Sequence, residues 1–404
     1  MFKREGHKSM TTNEISKLYE KYLIPTYSHL PLALVKGKGA KVWDVHQKEY
    51  LDFFSGWGVS NLGHCHPAVV NALKYQTRKI LHIPNNYYGL LQGKLAREIS
   101  KSSFGGKVFF CNSGAEANEA AIKFARKYGM GKRWEIISME KSFHGRTLAA
   151  LALTAQKKYH LGYQPLPNSF KYVPFNDFMA IKEIVSEKTV GIVLELIQGE
   201  GGINIADKGY ISKLRAFCDK KDILLIFDEV QTGIGRTGKL FCYQHYEVEP
   251  DVLLLAKGLG GGVPIGAMVV KKELANTFSP SAHASTFGGN PLVCKASLAV
   301  FKAIKKGKLL KKATEMGDYL KTKLENLKKK HSFIKQIRGK GLMWGIELTI
   351  AGAKTVETCL NKGLLINCTQ EKILRIMPPL VISKKEIDKG IGILDKVLSV
   401  SVQI

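Results

Sequence analysis

Between residues 105 and 270 the chain alternates helix-like stretches with short, almost unbroken apolar runs: KVFFC, EIISM, TVGIVLELI, ILLIFDEV, DVLLLAK and IGAMVV. A strand with one wet face alternates apolar and polar residues. A strand that is apolar at nearly every position has to be covered on both faces. The intervening AEANEAAIKFARKY, GRTLAALALTAQ and KGYISKLRAFCDKK carry the helical pattern. Together they predict an α/β domain, a mostly parallel sheet with helices on both sides. Upstream, an initial helix precedes the strand-like AKVWDVHQKEYLDFF. After Pro291 a long helical stretch runs to about residue 330, followed by strands near GLMWGIEL, LLINC and ILRIMPP. The expected division is a segment 1–60 that joins a small domain, a large domain over 61–300, and the C-terminal part of the small α+β domain over 301–404.

Composition removes several function classes. The 404 residues are 45% hydrophobic and 24% charged, an ordinary globular balance. No apolar run reaches the length of a membrane span, and the basic start MFKREGHKSM lacks the apolar core of a secretion signal. The first dozen residues read as a loose tail, with Met10 an alternative start. The seven cysteines are scattered and form no CxxC pair, which suits a reducing compartment, hence the cytoplasm. Lys and Arg number 61 against 34 Asp and Glu, a formal net charge of +27. The expected meaning is a solvated, lysine-rich surface, because no basic stripe is interleaved with aromatics and no nucleic-acid motif is present.

Sites in open α/β sheets form beyond the carboxyl ends of the strands. Three such ends carry unusual residues. In FFCNSGAEANEAA a strand passes through Ser113, Gly114 and Ala115 into a helix, an arrangement that offers backbone N–H groups and a hydroxyl to an anion such as phosphate. An ordinary N-cap by Ser113 would look the same. In ILLIFDEVQTG the apolar strand runs into Asp228, a carboxylate that needs a cation or a donor, whether in a structural salt bridge or against a ligand. In LLLAKGLGGG the strand ends on Lys257, either an ion-pair partner or a desolvated nucleophile. The three together match the needs of pyridoxal phosphate. The lysine would hold its aldehyde carbon, the carboxylate would keep its pyridine nitrogen protonated, and the helix start would hold its phosphate. The glycines after Lys257 would let the backbone turn tightly beside the cofactor.

At this point the chain resembles the class III (ω-) aminotransferases, pyridoxal-phosphate enzymes of fold type I. The matching segments run from about residue 25 to 395: LGHCHP, NSGAEANEAAIKFAR, SFHGRT, ELIQGEGG, FDEVQTGIGRTG, LAKGLGGGVPIGA, STFGGNPL and RIMPPL. The resemblance implies that Lys257 carries the cofactor and shuttles the proton, that Asp228 pairs with the ring nitrogen and that Gln231 reaches the ring hydroxyl. It implies Phe143 and Val230 on the two ring faces, and Ser113, Gly114 and Ala115 at the phosphate. Thr286 would reach the phosphate of a neighbouring subunit, which makes the expected assembly a homodimer with shared sites. On the substrate side it implies Arg146 for a carboxylate, Arg375 for the α-carboxylate of glutamate, Glu200 as a movable partner of Arg375, and Ser285 nearby. The expected reaction moves the δ-amino group of N-acetylornithine to 2-oxoglutarate, giving glutamate, as in arginine biosynthesis. Trp57, in SGWGVSNLGH, is bulkier than the aliphatic residue usual there and would shape the far end of the substrate. Ornithine, 4-aminobutyrate and succinyl-diaminopimelate therefore stay open as donors, as does a different pyridoxal reaction within the family.

Other motifs are weaker. GIGRTG (233–238) satisfies GxGxxG but is not followed by a helical pattern, which argues against a dinucleotide site. His64, Cys65 and His66 occupy one tight turn with no second ligand cluster, so no metal is expected. His144 reads as a wall residue with a neutral ring. No GxxxxGK[ST] is present, which argues against an ATPase.

Overall fold

The computed structural model describes residues 10–400. Its centre is a seven-stranded sheet in the order Lys107–Cys111, Gly266–Val270, Val252–Leu255, Leu224–Asp228, Thr189–Leu194, Glu135–Met139, Phe170–Val173. Every neighbouring pair is parallel except the two made by Gly266–Val270. Successive residues of a strand point to opposite faces. Thus Leu225, Phe227, Leu253 and Leu255 join one hydrophobic core, while Leu224, Ile226, Val252 and Leu254 join another. This is why the runs are apolar throughout. Each fully buried side chain of this size contributes about 1.5–3 kcal/mol. The helix Gly114–Tyr128 covers the second face with Ala117, Ala120, Ala121 and Ala125, small residues that let it sit close to the sheet, and with the ring of Phe124.

The chain ends build two smaller sheets. Leu34–Lys38, Lys41–Asp44 and Glu49–Asp52 form an antiparallel meander, and Leu364–Leu365 pairs in parallel with Glu49–Asp52. The second sheet runs Ile334–Lys340, Met343–Leu348, Ile373–Ile376, Asn367–Thr369, antiparallel throughout. No helix among the described residues is long and apolar enough to cross a membrane.

Three expectations need correction. Residues 1–9 of the expected tail lie outside the described residues, but Thr11 is not loose. Its hydroxyl accepts from Glu14 N at 3.2 Å while Glu14 Oε2 accepts from Thr11 N at 2.7 Å, a capping box that starts the helix Thr12–Tyr22. The long helical stretch after Pro291 is two helices, Pro291–Lys306 and Leu309–Lys330, broken where Lys308 takes φ 49°. The helix expected over GRTLAALALTAQ is only Leu148–Leu153, and the hydroxyl of Thr154 just beyond it accepts from His144 N at 2.8 Å.

Candidate active site

The loops beyond the carboxyl ends of the parallel strands enclose a cleft of about 500 Å³, within the range typical of small-molecule sites. Asp228 ends the central strand Leu224–Asp228 and lines this cleft. Its Oδ2 accepts from His144 Nδ1 at 2.7 Å and from Asn118 Nδ2 at 2.9 Å, and Oδ1 accepts from Val230 N at 3.0 Å. Burial pushes its pKa up, but the His144, Asn118 and Val230 donors outweigh burial and hold it below the usual value. The carboxylate is therefore kept ionised in the interior. His144 Nε2 and Asn118 Oδ1 are buried without partners among the described residues.

Lys257 follows the adjacent strand Val252–Leu255 and lines the same cleft. Burial lowers its amine below the usual lysine value, partly opposed by the charge of Glu200. No hydrogen bond or ion pair to its Nζ is present among the described residues. Lys257 itself takes φ 45°, a left-handed conformation that costs a non-glycine residue about 1 kcal/mol or more. The following Gly258 is required by a neighbour: a Cβ there would stand 2.3 Å from Asn61 Nδ2.

Ser113 caps the helix Gly114–Tyr128 by accepting from Glu116 N at 3.1 Å. The ordinary cap is thus present, and the neighbouring N–H groups of Gly114 and Ala115, which have no intrahelical acceptor, belong to residues lining the cleft. Gly114 lets Val230 approach, since a Cβ would lie 2.8 Å from Val230 Cγ1. Phe143 lines the same cleft and donates its N–H to Glu195 Oε1 at 3.0 Å. Glu195 also accepts from Gly199 N at 3.0 Å. Burial raises its pKa to about 7, opposed by His144 and reinforced by Asp228.

The substrate-side residues form two groups. Arg146 is exposed at the cleft, its guanidinium 3.9 Å from the ring centre of Tyr159 and 5.7 Å from that of Phe143. Deeper, Arg375 Nη1 donates to Glu200 Oε1 at 2.6 Å. Arg375 is fully buried, and its Nη2 has no partner among the described residues. Glu200 lines the cleft and Arg375 does not. Gln231 links this pair to the entrance, with Nε2 donating to Trp57 O at 3.1 Å and Oε1 3.4 Å from Arg375 Nη1.

Three expected residues stand apart. The Trp57 ring, 49% exposed, packs against Phe54 and is not part of the cleft lining; the residue offers its carbonyl rather than its ring. Ser285 lies in a separate small cleft with Glu116, Glu119 and His283. Thr286 is exposed. Sequence reasoning treated His144 only as a wall and missed Asn118 and Glu195. Two of the three donors to Asp228, His144 and Asn118, come from distant parts of the chain, and only SFHGRT and NSGAEANEAA as quoted segments pointed at them.

The weaker motifs have structural jobs. Arg236 of GIGRTG is fully buried and donates to Leu342 O, Pro378 O and Asn61 Oδ1, joining three chain regions. His64 Nε2 pairs with Asp52 Oδ2 at 2.7 Å, and His66 Nδ1 accepts from Ala68 N at 3.2 Å to cap the helix Pro67–Gln76.

Comparison with known proteins agrees over nearly the whole chain. The family described as aminotransferase class-III matches residues 22–398. The acetylornithine aminotransferase of Methanocaldococcus jannaschii is 53% identical over 388 residues, 95% of this chain and 97% of the relative. That of Caldanaerobacter subterraneus subsp. tengcongensis is 54% identical over 385 residues, 94% of this chain and 98% of the relative. Among solved structures, the ornithine aminotransferase of Toxoplasma gondii superposes with a TM-score of 0.94 at 32% identity, covering 99% and 98% of the two chains. The acetylornithine aminotransferase of Elizabethkingia anophelis gives 0.86 at 32% identity, covering 96% and 99%.

Proposed function

This chain belongs to the class-III aminotransferase family, pyridoxal-phosphate-dependent transaminases of fold type I, and from that premise we propose that it transfers the δ-amino group of N-acetylornithine to 2-oxoglutarate. Its relatives at 53% and 54% identity carry the acetylornithine name, and this supports the donor. The observation that carries the transaminase reading is one cleft lined by an unpaired amine at Lys257, an ionised Asp228 and Glu200, whose carboxylate pairs with Arg375 behind the cleft wall.

The residues present fit the cofactor: the unpartnered Lys257 amine, the free first-turn N–H groups and the orphaned polar atoms of His144 and Asn118 line one cavity. When bound, pyridoxal phosphate supplies the electron sink for proton removal and the carrier for the amino group. Lys257 Nζ, its basicity lowered by burial, would attach the cofactor and move the proton. Asp228, fixed by His144 and Asn118, would hold the proton on the ring nitrogen. Ser113, Gly114 and Ala115 would hold the phosphate at the helix start. Phe143 and Val230 would bound the ring faces, and Gln231 would reach the ring hydroxyl. Arg146 would bind the substrate carboxylate; a planar fork of donors suits that task. Arg375 would take the α-carboxylate of glutamate once Glu200 withdraws, and its unpartnered Nη2 is a donor waiting for such an acceptor. With N-acetylornithine, Glu200 would stay on Arg375 and cancel its charge.

A homodimer, with Thr286 and Ser285 near the partner's site, is supported by exposed apolar residues around them. Tyr87, Tyr88, Leu90 and Phe287 are 70%, 106%, 70% and 60% exposed. Seven free thiols support a reducing, cytoplasmic setting.

The test is visible absorbance of the purified holoprotein, titrated separately with N-acetylornithine, ornithine, 4-aminobutyrate and succinyl-diaminopimelate. The expected result is that N-acetylornithine converts the bound cofactor at the lowest concentration and 2-oxoglutarate restores it. A different preferred donor would overturn the substrate assignment; no conversion by any amine would overturn the proposal as a whole.

A further inference from the structure

If Glu200 withdraws from Arg375, something else has to keep the guanidinium in position. Arg375 lies on Ile373–Ile376, and the ladder register sets it directly opposite Asn367 on Asn367–Thr369. Opposed residues of an antiparallel pair share a face, and Asn367 Oδ1 accepts from Arg375 Nε at 3.0 Å. Gly199 O accepts from Arg375 Nη1 at 3.1 Å. Both acceptors are uncharged. They orient the guanidinium without cancelling its charge, and they remain when the Glu200 carboxylate leaves.

The same stretch of chain also holds the backbone of Glu200. Thr369 Oγ1 and Gln370 Nε2 both donate to Glu200 O, at 2.6 and 2.9 Å. Arg338 Nε donates to Gly202 O at 2.8 Å. Gly202 has φ 109°, and a Cβ there would stand 2.5 Å from Ile373 Cδ1, so the loop after Glu200 is pressed against the ladder that carries Arg375. Among the described residues the Glu200 carboxylate itself is hydrogen-bonded by Arg375 alone.

We infer that Asn367 is the positioning residue that keeps Arg375 aimed at a substrate carboxylate after Glu200 has moved, and that it must be a neutral acceptor to do so. This rests on the reading of Arg375 and Glu200 as the pair that admits the dicarboxylate. Asn367→Leu removes the acceptor. Asn367→Asp keeps the acceptor but supplies a carboxylate that cannot leave. The two half-reactions of the holoenzyme are measured separately by stopped-flow absorbance, one with N-acetylornithine and one with glutamate, together with calorimetric binding of 2-oxoglutarate to the pyridoxamine form.

Both variants are expected to weaken glutamate and 2-oxoglutarate roughly tenfold or more, the scale of a lost hydrogen bond to a charged group, and to leave N-acetylornithine within about twofold. A general structural defect would move both half-reactions alike, and that result, or no change in either, overturns the inference. Wild-type behaviour in Asn367→Asp alone overturns the requirement for a neutral acceptor. Arg375→Ala serves as the reference: if it leaves 2-oxoglutarate binding intact, the underlying reading of Arg375 fails instead.

Discussion

Lys257 is a cation placed where the interior disfavours charge. Burial lowers its amine from 10.5, and the charge of Glu200 opposes that only in part. A base whose folded pKa is depressed has its full stability only above the unfolded value of 10.5 and loses it as pH falls through the folded one. Cofactor-stripped protein should therefore be held back by this residue at neutral pH. Lys257→Met, similar in length and uncharged, should melt a few degrees higher than stripped wild type at pH 7, and the gap should narrow as pH rises. It should also abolish transamination. A gap independent of pH would show that the amine does not titrate between the two states. Asp228 and Lys257 were legible in the sequence because each closes an apolar run with a charge. His144 and Asn118 were not: they lie 84 and 110 residues from Asp228, and no local pattern reports such a meeting. Trp57 shows the reverse case, a residue conspicuous in sequence whose ring packs against Phe54 and is not among the residues lining the cleft.

At the scale of elements, the parallel strands were the most legible features, since burial on both faces dictates their composition. The break before Leu309 was missed although Gly307, the C-cap of Pro291–Lys306, marks it; the positive φ falls one residue later, on Lys308, where no local pattern reports it. The short turn Cys242–His245 after GIGRTG is another element that only packing explains. His245 Nε2 lies 3.1 Å from Thr237 O. Burial first, and then the charge of Lys340, depress its pKa from 6.5 to about 4. Its contribution is fully present above pH 6.5 and is lost as pH falls towards 4. His245→Gln keeps a donor for Thr237 O but cannot titrate. Denaturant unfolding at pH 6.5 and 4.5 should show a smaller loss of stability in the variant; equal losses would mean the ring is protonated without cost.

For the whole molecule, the exposed aromatic segment at 87–90 and the loop 285–288 form one surface, tied together by Asn85 Nδ2 donating to Ser285 O at 2.8 Å and Gly288 O at 3.2 Å. An apolar surface of this kind seldom stays wet. Sedimentation should give twice the 44.8 kDa chain mass, and Tyr88→Asp should shift the protein towards monomer with loss of cofactor affinity. A monomeric wild type would overturn the proposed homodimer. The +27 charge adds long-range repulsion that salt screens, so association should strengthen with ionic strength.

The sequence by itself determined the α/β class, the placement of chemistry at strand ends and the family, because these follow from local periodicity and from short segments whose residues act where they stand. Tertiary structure alone decided which donors stabilise Asp228 and that Asn367 faces Arg375. Those relations depend on strand order and register, which bring together residues far apart in the chain, and neither composition nor spacing encodes that meeting.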